Sequence, residues 1–130
     1  MIVQITVATQ SRSSMEDITA QVEQAVRDSG VREGTCCVCV PHTTAGITIN
    51  EGADPDVQHD LLAKLEDMVP WRDRYRHTEG NSAAHIKASL MGSSATLLVQ
   101  GGRLLLGTWQ SVYLCEFDGP RQRRVFVRVG

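Results

Sequence analysis

From Arg124 to Val129 the chain alternates without a break: Val125, Val127 and Val129 share one parity, and Arg124, Phe126 and Arg128 the other. Successive side chains of a strand point to opposite faces, so this pattern describes an antiparallel strand with one face on a core and one in water. Ile2 to Thr9 alternates in the same way. Two-faced strands near both ends of a chain demand a sheet whose apolar face is covered by other elements.

Helical periodicity supplies the cover. Ser14 reads as an N-cap with Asp17 three residues on, and Met15, Ile18, Val22 and Val26 recur at helical spacing until Gly30. Thr35 to Pro41 and Gly46 to Glu51 read as strands joined by a short Thr-Thr-Ala-Gly turn, which predicts a hairpin. Asp54 caps a second helix with Pro55 at its first position, and Val57, Leu61, Leu65 and Met68 give its buried face up to Pro70. Trp71 to Thr78 is irregular. Gly80-Asn81-Ser82 introduces a third helix, Ala83 to Met91, stopped by Gly92. Ala95 to Gln100, Arg103 to Leu106 and Thr108 to Phe117 are strand-like. The fold class expected is α+β, with helices packed on a curved antiparallel sheet or open sandwich. At 130 residues and 42% hydrophobic, the chain reads as one domain, 1–130.

A formal charge of −2 offers no basic face to a nucleic-acid backbone. Arg121, Arg123, Arg124 and Arg128 concentrate charge near the C-terminus, either to hold phosphate locally or, more commonly, as exposed arginines on a terminal strand. No apolar run approaches the roughly 20 residues of a membrane helix, and Met1 to Gln4 leads straight into a strand, so a cytoplasmic protein is expected. Cys36, Cys37 and Cys39 lie on one strand whose faces alternate, so they cannot converge on one zinc and read as small core hydrophobes. Together with Cys115 they are expected to be four free thiols.

Several polar residues stand where chemistry is possible. The tetrad Gly107-Thr108-Trp109-Gln110 sits between two apolar strand-like runs, and reads either as a polar network or as a Trp filling the core beside a Gln at a strand end. His42 follows Val38 and Val40 on one strand face and ends a core-facing row. His85 falls in the first turn of the third helix, where the helix dipole disfavours imidazolium. His77 lies just upstream near Glu79, and His59 sits beside Asp60 on the second helix. Asn81 and Ser82 either cap the third helix or present its amides to an anion. Lys87, Thr108, Gln110 and Arg121 would complete a phosphate pocket if the fold brings them near His85. Glu51 ends the strand face carrying Ile47 and Ile49, at a rim or in a cleft. Asp56 and Asp60, four apart on a helix, would bind Mg²⁺ or orient a histidine, or simply form a solvated face.

The segments from His42 to Glu51 with Asp54-Pro55-Asp56, from Glu79 to Lys87, Gly107-Thr108-Trp109-Gln110 and Asp118-Gly119-Pro120-Arg121 together resemble the YjbQ-like family. The spaced pattern Ser94, Leu97, Val99, Gly102, then the tetrad and Val112 resembles it most specifically, and the likeness runs from about Val3 to Val129. The resemblance implies an α+β fold assembled as a homotrimer and a secondary thiamine-phosphate synthase activity on a phosphorylated, anionic small molecule. It also implies a divalent ion, zinc or similar, on His42, His77 and His85, with His59 in reserve, or magnesium for synthase chemistry. Glu51, Asp60 and Glu79 would then serve as catalytic carboxylates. Metal-assisted hydrolysis is a variant of this reading, and a non-catalytic trimeric metal- or metabolite-binding module is the alternative.

Overall fold

The computed structural model describes all residues, Met1–Gly130. The order is β1 (Ile2–Ala8), β2 (Ser14–Asp17), α1 (Thr19–Ser29), β3 (Glu33–Cys39), β4 (Ala45–Glu51), α2 (Pro55–Met68), α3 (Ser82–Met91), β5 (Ser94–Gln100), β6 (Arg103–Leu104), β7 (Gln110–Glu116) and β8 (Gln122–Val129). Two antiparallel sheets result, β1-β8-β3-β5-β6 and β2-β7-β4. They curl toward one another as a half-barrel packed with three helices, an α+β architecture as the alternating strands require.

The main core lies between the sheets. Val125 and Val127 of β8, Cys36 and Val38 of β3, Leu97 and Val99 of β5, Val112 and Leu114 of β7, and Ile18, Val22 and Val26 around α1 all belong to it. On β7 the opposite parity, Tyr113, Cys115 and Phe117, is buried too, against Leu65 of α2 and Ala84 and Ala88 of α3. Strand β7 is therefore covered on both faces, and its run from Val112 to Phe117 is buried throughout. Gly46 of β4 lets α3 approach, because a Cβ there would lie 2.8 Å from Gly92 O and from Met91 Cβ.

Several expectations are corrected. Ser14 to Asp17 is a strand paired with Tyr113 to Glu116, not the first turn of a helix. Helix α1 begins only at Thr19, whose amide and hydroxyl both donate to Asp17 Oδ1. The predicted hairpin does not form: β3 pairs with β5 and β8, β4 pairs with β7, and residues 40–44 cross from one sheet to the other. Cys37 and Cys39 face outward and are half-exposed, whereas Cys36 and Cys115 are buried, and all four thiols are free. Burial pushes the Cys36 thiol up to about 11 and Cys115 up to about 12. The Gly-Thr-Trp-Gln tetrad is no buried strand. It is a solvent-facing turn with Trp109 64% exposed, closed by the Gly107 amide donating to Gln110 Oε1 at 2.8 Å.

At one end of the core, the inward rows of both sheets finish in charge. On β8 the row Val127, Val125 ends at Arg123, and on β7 the row Val112, Leu114 ends at Glu116. These two side chains, 3% and 0% exposed, form a two-point ion pair, with Arg123 Nε donating to Glu116 Oε1 at 2.8 Å and Nη2 to Oε2. Thr9 Oγ1 donates to Glu116 Oε1 at 2.8 Å, and the Asp118 amide to Oε2 at 3.0 Å. Arg123 Nη2 also donates to Thr44 Oγ1 at 2.8 Å. The turn beneath has no room for a side chain at Gly119, where a Cβ would meet Ser11 O at 2.4 Å and Glu116 Cγ at 2.8 Å.

Breaking a buried pair leaves an uncompensated charge, so Glu116→Ala is expected to lower the unfolding free energy by about 3–5 kcal/mol. Glu116→Gln combined with Arg123→Gln removes both charges and should recover at least half of that loss in denaturant unfolding. Burial alone would raise the Glu116 pKa, but its bonds from Arg123, the Asp118 amide and Thr9 outweigh burial and hold the carboxyl below the ordinary 4.5. The stabilisation is therefore complete above about pH 4.5 and is lost as pH falls through the lower native value. The double variant should show a shallower loss of stability with acid.

Candidate functional site

Beside this ion pair three segments meet around a polar cleft of about 400 Å³ whose one apolar lining side chain is Pro41. The crossover between β3 and β4 contributes Pro41, His42, Thr43 and Thr44. The turn between β7 and β8 contributes Asp118 and Arg121, with Arg123 behind them. The approach to α3 contributes His77, Glu79 and Asn81, and the first turn of the helix adds His85. The volume lies within the range of small-molecule sites.

Each wall is tied to its neighbour. The Arg124 backbone amide donates to His42 Nε2 at 2.9 Å, fastening the crossover to β8. Because Nε2 accepts, the neutral ring carries its proton on Nδ1. Burial, and next the positive charges of Arg123 and Arg124, hold His42 below the ordinary 6.5. Asn81 Nδ2 donates to Asp118 Oδ2 at 2.9 Å and Arg121 Nη2 reaches the same oxygen at 3.2 Å, so one carboxylate joins α3 to the β7–β8 turn. Asn81 Oδ1 is buried with no partner, and its side chain does not cap the helix. The rings of His77 and His85 stand perpendicular with centroids 5.4 Å apart, and His77 Nε2 lies 3.9 Å from Glu79 Oε1.

The cleft thus gathers His42, His77, His85, Glu79, Asn81 and Arg121 from distant parts of the chain. Ser82 opens α3 but lines the adjoining groove with His77, His85 and Arg74. The other candidates lie elsewhere. Glu51 ends β4, about 20 Å of strand from the crossover end, with Oε2 accepting from the Ala53 amide at 2.7 Å. Gln110 is its register partner on β7, and Thr108 lies in the same exposed turn, so neither reaches His85. Lys87 is buried, its Nζ 2.5 Å from Glu66 Oε2, and it joins α3 to α2 instead of serving a phosphate pocket. His59 and Asp60 pair with each other at 3.4 Å on the exposed face of α2, where Asp56 is exposed as well.

Asp118 and Thr44 line the cleft without standing among the sequence candidates, and Arg123 enters it from a cluster more commonly exposed. Parity was the available signal: Arg123 falls on the face of Val125 and Val127, and Glu116 on that of Val112 and Leu114. A charge on an apolar parity is buried, and a buried charge needs a partner.

The divalent ion implied by the resemblance finds no ready set of ligands among the side chains as they stand. No group of three His, Cys, Asp or Glu side chains is placed to hold a metal ion. His42, moreover, has its one free lone pair engaged by the Arg124 amide. What the lining offers is hydrogen-bond donors for an anion and imidazoles for proton transfer.

The His42 ring protons should titrate with a midpoint below 6.5 in an NMR pH series. With the native pKa below the unfolded one, His42 favours the fold above about pH 6.5, and that contribution is lost as pH falls through the native value. A midpoint at or above 6.5 would mean that burial and the neighbouring arginine charges do not govern the His42 ring.

The family described as "UPF0047 protein YjbQ-like" matches residues 3–130. UPF0047 protein YugU of Bacillus subtilis is 47% identical over 130 residues, spanning 99% of this chain and 98% of that protein. A UPF0047 protein of Archaeoglobus fulgidus is 42% identical over 127 residues, spanning 96% and 98%. The crystal structure of an uncharacterized conserved protein of the YjbQ/UPF0047 family from Clostridium acetobutylicum has a TM-score of 0.97 at 52% identity, covering 98% of this chain and 99% of that one. A conserved hypothetical protein from Thermus thermophilus gives 0.91 at 46%, covering 98% and 99%. With sequence and backbone both matched from end to end, the chain belongs to the YjbQ/UPF0047 family.

Proposed function

We propose that the chain is an enzyme that acts on a phosphorylated small molecule in the cleft between His42, His85 and Arg121. The carrying observation is the lining itself: three imidazoles, two arginines and two carboxylates brought together from three segments, with Pro41 the one apolar side chain among them. Arginines bind phosphate oxygens with charge-assisted bonds, and imidazoles move protons near neutral pH. The paired rings of His77 and His85, with Glu79 beside them, are the groups suited to acid–base work.

Secondary thiamine-phosphate synthase activity is the reaction to test first. In it the methylene–oxygen bond of a pyrimidine diphosphate breaks, the diphosphate leaves with the bonding electrons, and the thiazole nitrogen attacks the methylene carbon. Donors on the departing diphosphate lower that barrier. The lining offers no Phe, Tyr or Trp to stack a pyrimidine, so support for this reaction comes from the phosphate end alone. The homotrimer implied by the family is proposed with it, supported by the exposed apolar side chains Ile2 on the edge strand β1, Leu98 on the outer face of β5, Leu105 and Trp109. No helix is long and apolar enough to cross a membrane.

A panel of phosphorylated substrates, thiamine-phosphate precursors included, assayed with and without added Mg²⁺ or Zn²⁺ tests the proposal. Turnover should fall by about 10²–10⁴-fold in His77→Ala or His85→Ala, the range for removing a general acid or base. Binding without turnover across the panel would make the protein a metabolite-binding module, and absence of binding would end the proposal. Light scattering should give three times the 14.3 kDa chain mass. A monomer would remove the trimer.

A further inference from the structure

We propose that the cleft contains a fixed seat for a phosphate group, formed by Nη1 of Arg123 and the Nδ1–H of His42. This rests on the reading of the cleft as a site for a phosphorylated ligand and names the group that ligand presents. Arg123 is 3% exposed, and three of its five N–H donors sit on Nε and Nη2, which are committed to Glu116 and Thr44. Nη1 makes no hydrogen bond within the protein, yet it is not sealed off as a buried orphan, and Arg123 lines the cleft. We assign the two donors on Nη1 to that space.

His42 adds a donor of fixed identity. Its Nε2 accepts the Arg124 amide, which leaves the proton on Nδ1, and Nδ1 has no acceptor within the protein. The two groups cannot drift apart. Arg124 holds His42 while its neighbour Arg123 holds Thr44, so β8 grips the same short crossover twice. Arg121, half-exposed at the rim, has Nε and Nη2 on Asp118 and leaves its own Nη1 free. Donors from floor, wall and rim suit a tetrahedral oxyanion better than a planar carboxylate. The seat lies at the crossover end of the cleft, and His77 and His85 on the α3 side are left to face the rest of the ligand.

Titration of the protein with inorganic phosphate and with phenyl phosphate, followed by calorimetry and by side-chain ¹⁵N NMR of the arginines, tests the seat. Binding to the wild type should move the Arg123 guanidinium resonances. Glu116→Gln with Arg123→Gln, and separately His42→Ala, should each weaken binding at least tenfold, while Arg27→Ala, at an exposed arginine of α1 bonded to Gln24 and outside the cleft, should leave it unchanged. If the double variant does not fold, the resonance shift in the wild type still decides the matter. Binding that leaves Arg123 unmoved, or that survives both the double variant and His42→Ala, would overturn the seat while leaving the cleft a phosphate site. If neither probe nor any phosphorylated compound of the panel binds the wild type, the reading of the cleft falls and the seat with it.

Discussion

Arg123 and Glu116 meet where the inward rows of two different sheets run out, and their ion pair closes the end of the core between them. Each carries further bonds: Glu116 takes Thr9 and the Asp118 amide, and Arg123 takes Thr44. The pair thereby fixes the end of β1, the β7–β8 turn and the crossover from β3 to β4, three segments far apart in sequence. Two of them are walls of the cleft. The third wall, the start of α3, is reached through Asp118 and Asn81. The geometry of the site is thus set from underneath by one buried charge pair and the turn packed around Gly119.

Much of the fold was legible because strand and helix periods differ. The alternation of Arg124 to Val129 and the recurrence of Ile18, Val22 and Val26 translate directly into β8 and the buried face of α1. What failed were judgements that depend on tertiary pairing. Thr35–Pro41 and Gly46–Glu51 were each strands, but proximity along the chain does not decide which sheet a strand joins, and residues 40–44 turn out to be a crossover. Met15 kept helical spacing with Ile18 although its segment pairs with β7, because four residues are too few to separate the two periods.

The site was half legible for a related reason. His42, His77, His85, Glu79, Asn81 and Arg121 come together as their places at strand and helix ends suggested. Glu51, Thr108 and Gln110 were drawn in by their motif, yet a seven-residue strand separates them from the crossover. Lys87 shows the limit of residue type as a guide. A lysine on a short helix near a histidine is a fair anion ligand in sequence, but its position in the turn directs it to Glu66 and away from the cleft. Arg123 is the converse, a residue grouped with exposed terminal arginines whose parity already placed it inside.

Stability alone does not account for a charge pair at this position. Well-packed apolar residues in place of a buried ion pair are often neutral or stabilising, since two charges must be stripped of water before they attract one another. An apolar pair would close the core between β7 and β8 equally well. It would not supply the directional bonds that pin Thr44, Thr9 and the Asp118 amide, and it would leave the crossover that carries His42 without its side-chain tie to β8 through Thr44. Nor would it present a permanent positive charge to a cleft whose other charged groups, Glu79, Asp118 and Arg121, sum to one net negative. The pair is placed where it holds three loops together directly beneath the cleft, and on the proposed reading the same arginine also meets the anion.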